Sequence, residues 1–498
     1  MTQTTDIPVA PVNHPGLPLK SQRTLALSIV VLYGFYLLFT SAFYPLDFLS
    51  VFDAKRLLQL LLFMAVMIFA LAWAPLRKAS IEQLDRLTLS NRIILVVFFF
   101  IGFVSSLRLD HSAYALADVS MLLVLMILIA VTAASRDLSG PRFDKWAVVL
   151  LSITGFAVAI QELTGFVAGW VLGSEFSYDQ ALVHFAHPRF YNQLQTWSIP
   201  ILAALPLIFP AKRSVKLICV ALLGLQWFLV IGLAARGTVV SLFISMAFIA
   251  LWLPGQRRFW LRYQLAGLLA GILIYSGMLF MNSHLIPSSQ SGEFFAHSVG
   301  RPMAHTSGRS MLWRLSIDDA RKHPLLGSGP NHYACESEIV LPAHTHSFPF
   351  RILGEWGGIA LLLVLLFTVT VGVAFLQTLK HGDRTTQKDS PLQAMLATSL
   401  IAGALHACLS GLLIMPASQV AFILVAGWNL SLHHQAHAGF RKRTAARLVL
   451  LCGLLLTSAM LVFAIREIPQ LPTGTTYVES DGELNPRFWW VDKVCDDH

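Results

Sequence analysis

Long apolar runs alternate with short polar breaks along almost the whole chain. A helix needs about 20 mainly apolar residues to cross the hydrocarbon layer of a bilayer. Thirteen stretches fit: 24–43, 57–75, 91–107, 114–134, 145–162, 194–210, 216–233, 237–253, 262–281, 348–378, 392–414, 417–433 and 446–465, with 417–433 the weakest. The pattern predicts an all-α polytopic membrane protein of about 12–13 transmembrane helices. No internal repeat or linker interrupts it, so residues 1–498 read as a single membrane domain. The largest polar break is a loop over 282–347, and a polar tail follows at 466–498.

Composition agrees with the pattern. The 498 residues are 55% hydrophobic and 13% charged, against roughly 25% charged in a soluble protein. A water-soluble core cannot absorb that much apolar surface, so membrane lipids are the solvent. The net charge of +9 is therefore no sign of a nucleic-acid partner. In such a chain Lys and Arg report orientation. Counted over alternate loops, the larger share of the 36 falls with the N-terminus and the breaks at 76–92, 135–146, 211–216, 254–263, 379–391 and 434–447. That set is expected on the cytoplasmic side, and the 282–347 loop and the tail on the other. The first 20 residues are polar and Pro-rich, so the first apolar run reads as an uncleaved signal-anchor.

Candidate chemistry gathers around one stretch, Gly308–Gly358, the end of the large loop and the start of the next helix. At 100° per residue, Leu312, Trp313, Ser316, Ile317 and Ala320 share a face with Arg309, while Arg314, Asp318 and Arg321 lie opposite. Residues 309–322 thus predict an amphipathic helix lying on the membrane surface, its apolar side down and Arg309 turned toward the protein. Pro324 and Gly327 should end it.

PAHTHSFPF follows. His344 and His346 flank a threonine, with His332 upstream. In an extended segment the two would point apart, one to the site and one to water. No carboxylate or cysteine completes a metal set with them, since Glu336 and Glu338 sit in irregular loop and the neighbours Asp318 and Asp319 face different ways in a helix. His346 immediately precedes a helix, whose dipole disfavours the imidazolium. It reads either as a cap-region residue or as a general base working near neutral pH.

Two further arginines stand at helix starts, Arg189 in HFAHPRFYNQLQTW and Arg236 in AARGTVVSLF. Ionisable residues at such depth are functional, paired, or snorkelling to the interface. Outward arginines at the lipid level match the oxygens of a lipid-linked diphosphate. They would also stabilise the charge growing on a departing pyrophosphate.

Of the five cysteines, only Cys335 and Cys495 fall in polar segments; they are either free thiols or a loop-to-tail pair. In the tail, Trp489 and Trp490 read as an interfacial belt segment or as part of a small lid.

These residues carry a resemblance. RSMLWRLSIDDARKHPLLGSGPNHYA and AHTHSFPFRILGEWGGIALLL look like the core of the O-antigen ligase and polymerase superfamily, which includes protein O-oligosaccharyltransferases. That family places an Arg/Trp-bearing outer helix before a PLLGxG-like turn, an H-x-H-N segment and an E-x-G-xx-G helix start. LAARGTVVSLF resembles its SRG helix start and RFYNQLQTW its F-x-N segment, so the resemblance covers about 185–375. It implies a GT-C-like, metal-independent, inverting glycosyltransferase that requires no cofactor and works at the periplasmic face of the bacterial inner membrane. The donor would be an undecaprenyl-pyrophosphate-linked glycan.

By motif, His346 takes the place of the essential histidine, Arg236 and Arg309 match diphosphate-binding arginines, and Arg189 is a looser match. His344, Trp313 and Glu355 are secondary candidates within the same motifs. Two positions depart from the family: Ser347 stands where Asn is usual, and Ala235 where the SRG serine would be.

The acceptor is left open by motifs that ligases, polymerases and protein glycosylases share. A modest outer loop and a short tail favour a ligase acting on lipid A–core, with a polymerase acting on another lipid-linked glycan second. A polysaccharide flippase is the reading from another class. It would require mid-membrane charges and inverted repeats with broken helices, whereas the charges here cluster at one face.

Overall fold

A computed structural model describes residues 19–43, 46, 48–172, 181–209, 212–253, 257–285, 294–295, 308–334, 344–381, 390–432, 443–470 and 487–489. Among these, nine helices are long and apolar enough to cross a membrane: Lys20–Ala42, Val51–Ala72, Leu89–Ser106, Ser112–Ser139, Pro141–Leu172, Arg213–Gly232, Phe259–His284, Phe348–Lys380 and Arg447–Glu467. Three shorter apolar helices, Arg236–Trp252, Pro391–Ala407 and Pro416–Leu432, match predicted spans as well.

The stretch expected at 194–210 behaves differently. It is a helix over Pro188–Leu202, then a break at Ala203–Ala204, then one turn over Leu205–Ile208. Pro200 and Pro206 explain the break, since neither supplies the amide hydrogen a continuous helix needs. Its Asn192, Gln193, Gln195 and Thr196 are buried and bond to neighbouring helices, which explains why this polar segment sits inside the bundle. The span expected over 392–414 also stops early. Its helix ends at Ala407 and a turn runs to Pro416.

Lipid replaces water around the bundle, so outward apolar residues are expected rather than anomalous. Phe35, Val96, Leu251, Leu273 and Leu455 are among them. Inside, Trp197, Trp227, Trp356 and Trp428 are fully enclosed. Glycines let the large rings in: a Cβ at Gly102 would stand 2.4 Å from the Trp356 ring, which also stacks on Phe98 at 4.7 Å. This packing fixes the start of the Phe348–Lys380 helix against Leu89–Ser106.

Of the tail, residues 487–489 are described, and they lie at the end of the bundle where the Phe348–Lys380 helix starts. Arg487 hydrogen-bonds Glu355 at the start of one helix and Asp118 near the start of another. Arg56, at the same end, donates to the carbonyls of Arg487 and Phe488 at 3.1 Å each. Trp489 is buried, so it is no interfacial belt residue; Trp490 lies outside the described residues.

Candidate functional site

The loop and the helix start are joined through their backbones. Ser328 N–H donates to Gly354 O at 2.9 Å, Gly329 N–H to Glu355 O at 2.8 Å, and Gly358 N–H to Pro324 O at 2.9 Å. Gly327 and Gly357 both have positive φ, and a Cβ on either would stand 2.3 Å from the opposite backbone. Only glycine fits these two positions, which is the physical content of the PLLGSG and GEWGG patterns. The same contact accommodates a π turn at Ile352–Trp356, an irregularity common at functional sites.

The Arg309–Lys322 helix forms as predicted. Arg314, Asp318 and Arg321 are exposed while Leu312 and Ser316 are buried. Two details differ. Its buried side packs on the 352–356 turn of the protein, and Asp319 is buried beside it, so among the described contacts this face meets protein rather than a membrane surface. Ser316 Oγ accepts from Tyr333 OH at 2.7 Å, and Trp313 stacks on Phe350 at 5.1 Å and 11°. Trp313 thus braces the helix against the segment carrying the histidines. Arg309 opens the helix, half-buried, after Gly308 at φ +76°.

His346 takes φ +51°, a left-handed conformation uncommon for a residue with a side chain. This turn brings the two histidines together: the rings of His344 and His346 are 4.2 Å apart. The expectation that they diverge, with one in water, assumed an extended segment and is wrong; His344 is buried against Gly411, where a Cβ would stand 2.4 Å from its Nε2. Thr345 Oγ1 donates to Ser347 O at 2.8 Å, closing the turn. Ser347 itself caps nothing with its side chain.

The His346 imidazole is held neutral, its pKa lowered to about 3 by burial and by the guanidiniums of Arg309 and Arg189. The sequence reading attributed this tendency to the helix dipole, but burial and the two cations are its physical causes. Arg309 and Arg189 are thus near enough to His346 for their charges to disfavour its cation. Arg189 sits in the first turn of Pro188–Leu202, its N–H donating to His187 Nδ1 at 3.1 Å. Arg236 is the first residue of Arg236–Trp252, after Ala234 at φ +49° and an Ala235 that has no side-chain oxygen to cap the helix. His406 lies against Gly237, and Gly411, in the turn that follows the His406 helix, lies against His344; this links the Arg236 helix start to the histidine turn.

Glu355 stands apart from these groups. Fully buried, it joins Arg487, Arg351 and Asp118 in an ion network, with Arg487–Glu355 at 2.5 Å, Arg351–Glu355 at 3.4 Å and Arg487–Asp118 at 3.1 Å. Arg351 also pairs with Asp118. Glu355 therefore fixes the helix start that carries the site.

Sequence reading missed His406 and Arg487. His406 was hidden inside an apolar run, although an ionisable residue there is itself a signal. Arg487 had no such signal in the polar tail. Cys335, Cys495, Glu336 and Glu338 lie outside the described residues. Among the described residues, no three His, Cys, Asp or Glu side chains group as metal ligands.

Compared with known proteins, residues 219–365 match the family model described as O-antigen ligase. The match spans Arg236, Arg309 and His346 and supports the O-antigen ligase superfamily. No curated protein matches the chain.

Proposed function

We propose, from this O-antigen ligase match, that the protein is an inverting glycosyltransferase that transfers a glycan from undecaprenyl pyrophosphate to an acceptor hydroxyl. Arg189, Arg236 and Arg309 hold the donor's diphosphate, and His346 is the general base. The observation that carries this reading is the turn that brings the His344 and His346 rings to 4.2 Å, with Arg309 and Arg189 both disfavouring a cation on His346. Before the donor binds, those cations keep a proton off the ring. A bound diphosphate offsets their charge, so the imidazole gains basicity when the donor is in place.

His346 then accepts the proton of the acceptor hydroxyl as its oxygen attacks the anomeric carbon on the face opposite the diphosphate. The bond from that carbon to the phosphate oxygen breaks, and its electron pair leaves on undecaprenyl pyrophosphate. The arginines stabilise this charge, a task for which fixed cations in a low-dielectric site are well suited. No step is assigned to a metal, so transfer is expected to persist in EDTA.

Lipid A–core is the favoured acceptor, with O-antigen ligation as the activity and the periplasmic face of the inner membrane as its place. A polymerase is the second reading and a protein O-oligosaccharyltransferase the third. Deletion of the gene followed by glycan analysis separates the first two. Long chains retained on the lipid carrier, with none on lipopolysaccharide, support the ligase; single repeats on lipopolysaccharide indicate the polymerase. Full transfer by a folded His346→Ala protein would overturn the glycosyltransferase mechanism itself.

A further inference from the structure

We propose that His406 is an additional contact for the donor's diphosphate, presented by Thr196 at the start of the Arg236–Trp252 helix. This rests on the glycosyltransferase reading above and adds a histidine from a different helix.

His406 is 5% exposed and lies in the last turn of Ser390–Ala407. Its Nδ1 is 2.7 Å from Thr196 Oγ1. Thr196 is itself seated by Asn192 O at 3.0 Å and Thr238 Oγ1 at 3.4 Å, and Thr238 donates to Asn192 O at 3.1 Å. Asn192 O accepts from both Thr196 and Thr238; with Thr238 still bonded there, the Thr196 hydroxyl is able to turn and donate to Nδ1 when an anion draws the ring proton to the other nitrogen. The neutral ring then carries its proton on Nε2.

That nitrogen is directed at a helix start. A Cβ built on Gly237 would stand 3.0 Å from His406 Nε2 and 3.2 Å from its Cδ2. The absent side chain thus lets the ring lie against the first turn, so the glycine of the Arg-Gly pair has a physical purpose. The first amides of a helix have no intrahelical acceptor, and Ala235 supplies none from a side chain. Among the described residues, Nε2 has no hydrogen-bond partner. A buried imidazole nitrogen and the first turn of the helix that Arg236 opens therefore meet at one spot. Such a set suits a phosphate oxygen. Gly411, in the turn that follows the His406 helix, lies against His344, whose ring is 4.2 Å from that of His346, so the same turn connects the spot to the proposed base.

The test uses the full-length protein in nanodiscs, with a lipid-linked glycan donor, an acceptor, and undecaprenyl pyrophosphate as a binding probe. His406→Phe keeps the ring volume without the donor; His406→Gln keeps an N–H near the position of Nε2; Thr196→Val releases the ring. The expected result is a donor KM raised about 10-fold or more in His406→Phe, with acceptor KM unchanged. Undecaprenyl pyrophosphate should bind correspondingly more weakly, His406→Gln should recover most of the loss, and Thr196→Val should fall between. If His406→Phe does not fold, the Gln and Val variants carry the comparison with wild type. Donor KM and product affinity within twofold of wild type in folded His406→Phe would overturn the proposal, as would equal damage in the Gln and Phe variants. An inactive His346→Ala beside a wild-type-like His406→Phe refutes the His406 contact alone. An active His346→Ala refutes the reading on which it rests.

Discussion

At the scale of single residues, two cations next to a histidine make a definite pH prediction. A positive neighbour lowers the pKa of an imidazole, so removing one raises it. In the free protein His346 is neutral down to about pH 3. The acid limb of kcat/KM, which reports the free enzyme, should therefore lie far below the usual histidine range. The limb of kcat, which reports the donor complex, should lie at higher pH because the diphosphate offsets Arg189 and Arg309. Arg309→Gln should lower kcat by about 10²–10³-fold, as for loss of one charge-stabilising donor. It should also move the kcat/KM limb toward higher pH. Rate profiles of wild type and Arg309→Gln, each normalised to its plateau, check both; coincident limbs would count against the pairing of these groups.

At the scale of elements, the loop turn and the helix start behave as one unit held by backbone hydrogen bonds. Gly327→Ala places a methyl group 2.3 Å from the Glu355 backbone at a φ of +65°. It should separate the two strips of backbone and abolish transfer. Gly140→Ala is the matched control: its φ is +63°, but nothing lies within 4 Å of the added carbon. It should show only the strain of the conformation, about 1–3 kcal/mol at its ψ of −148°, and keep activity. Thermal unfolding and transfer assays on the pair separate clash from strain.

The glycines were legible in the sequence because turn chemistry is local. The arrangement of His344 and His346 was not, since one positive φ reversed the divergence expected of an extended segment. The helix over 309–322 was legible in its period, yet burial of Asp319 was not, because that depends on Tyr333 and the 352–356 turn packing above it.

At the scale of the whole molecule, hydropathy revealed the helices because membrane thickness imposes one length on them. It missed what joins the helices, since those contacts bridge hundreds of residues. Arg56 illustrates this. It donates to Gln59 at 2.6 Å and Gln419 at 2.7 Å, to the Ile414 carbonyl at 2.6 Å, and to the Arg487 and Phe488 carbonyls at 3.1 Å. One side chain thus ties two helices, a turn and the tail at the end of the bundle that holds His346. Nothing in the local sequence around Arg56 distinguishes it from an arginine at a helix end.

The tail therefore acts as a strap, and its removal can be separated from loss of substrate contacts. Ending the chain after residue 470 deletes no residue proposed to touch donor or acceptor. It does strip Glu355 of Arg487 and leaves two Arg56 hydrogen bonds without their carbonyls. Breaking one side of a buried ion pair costs about 3–5 kcal/mol, so the truncated protein should unfold at a clearly lower temperature and transfer glycan poorly. Replacing Arg487 and Glu355 together by Met and Leu in the full-length chain should be milder than either single change, because neither charge is left buried alone. If the double variant is as unstable as Arg487→Met, the ion network is not what fastens the tail. If the truncated chain keeps wild-type stability and transfer, the strap has no part in holding the site.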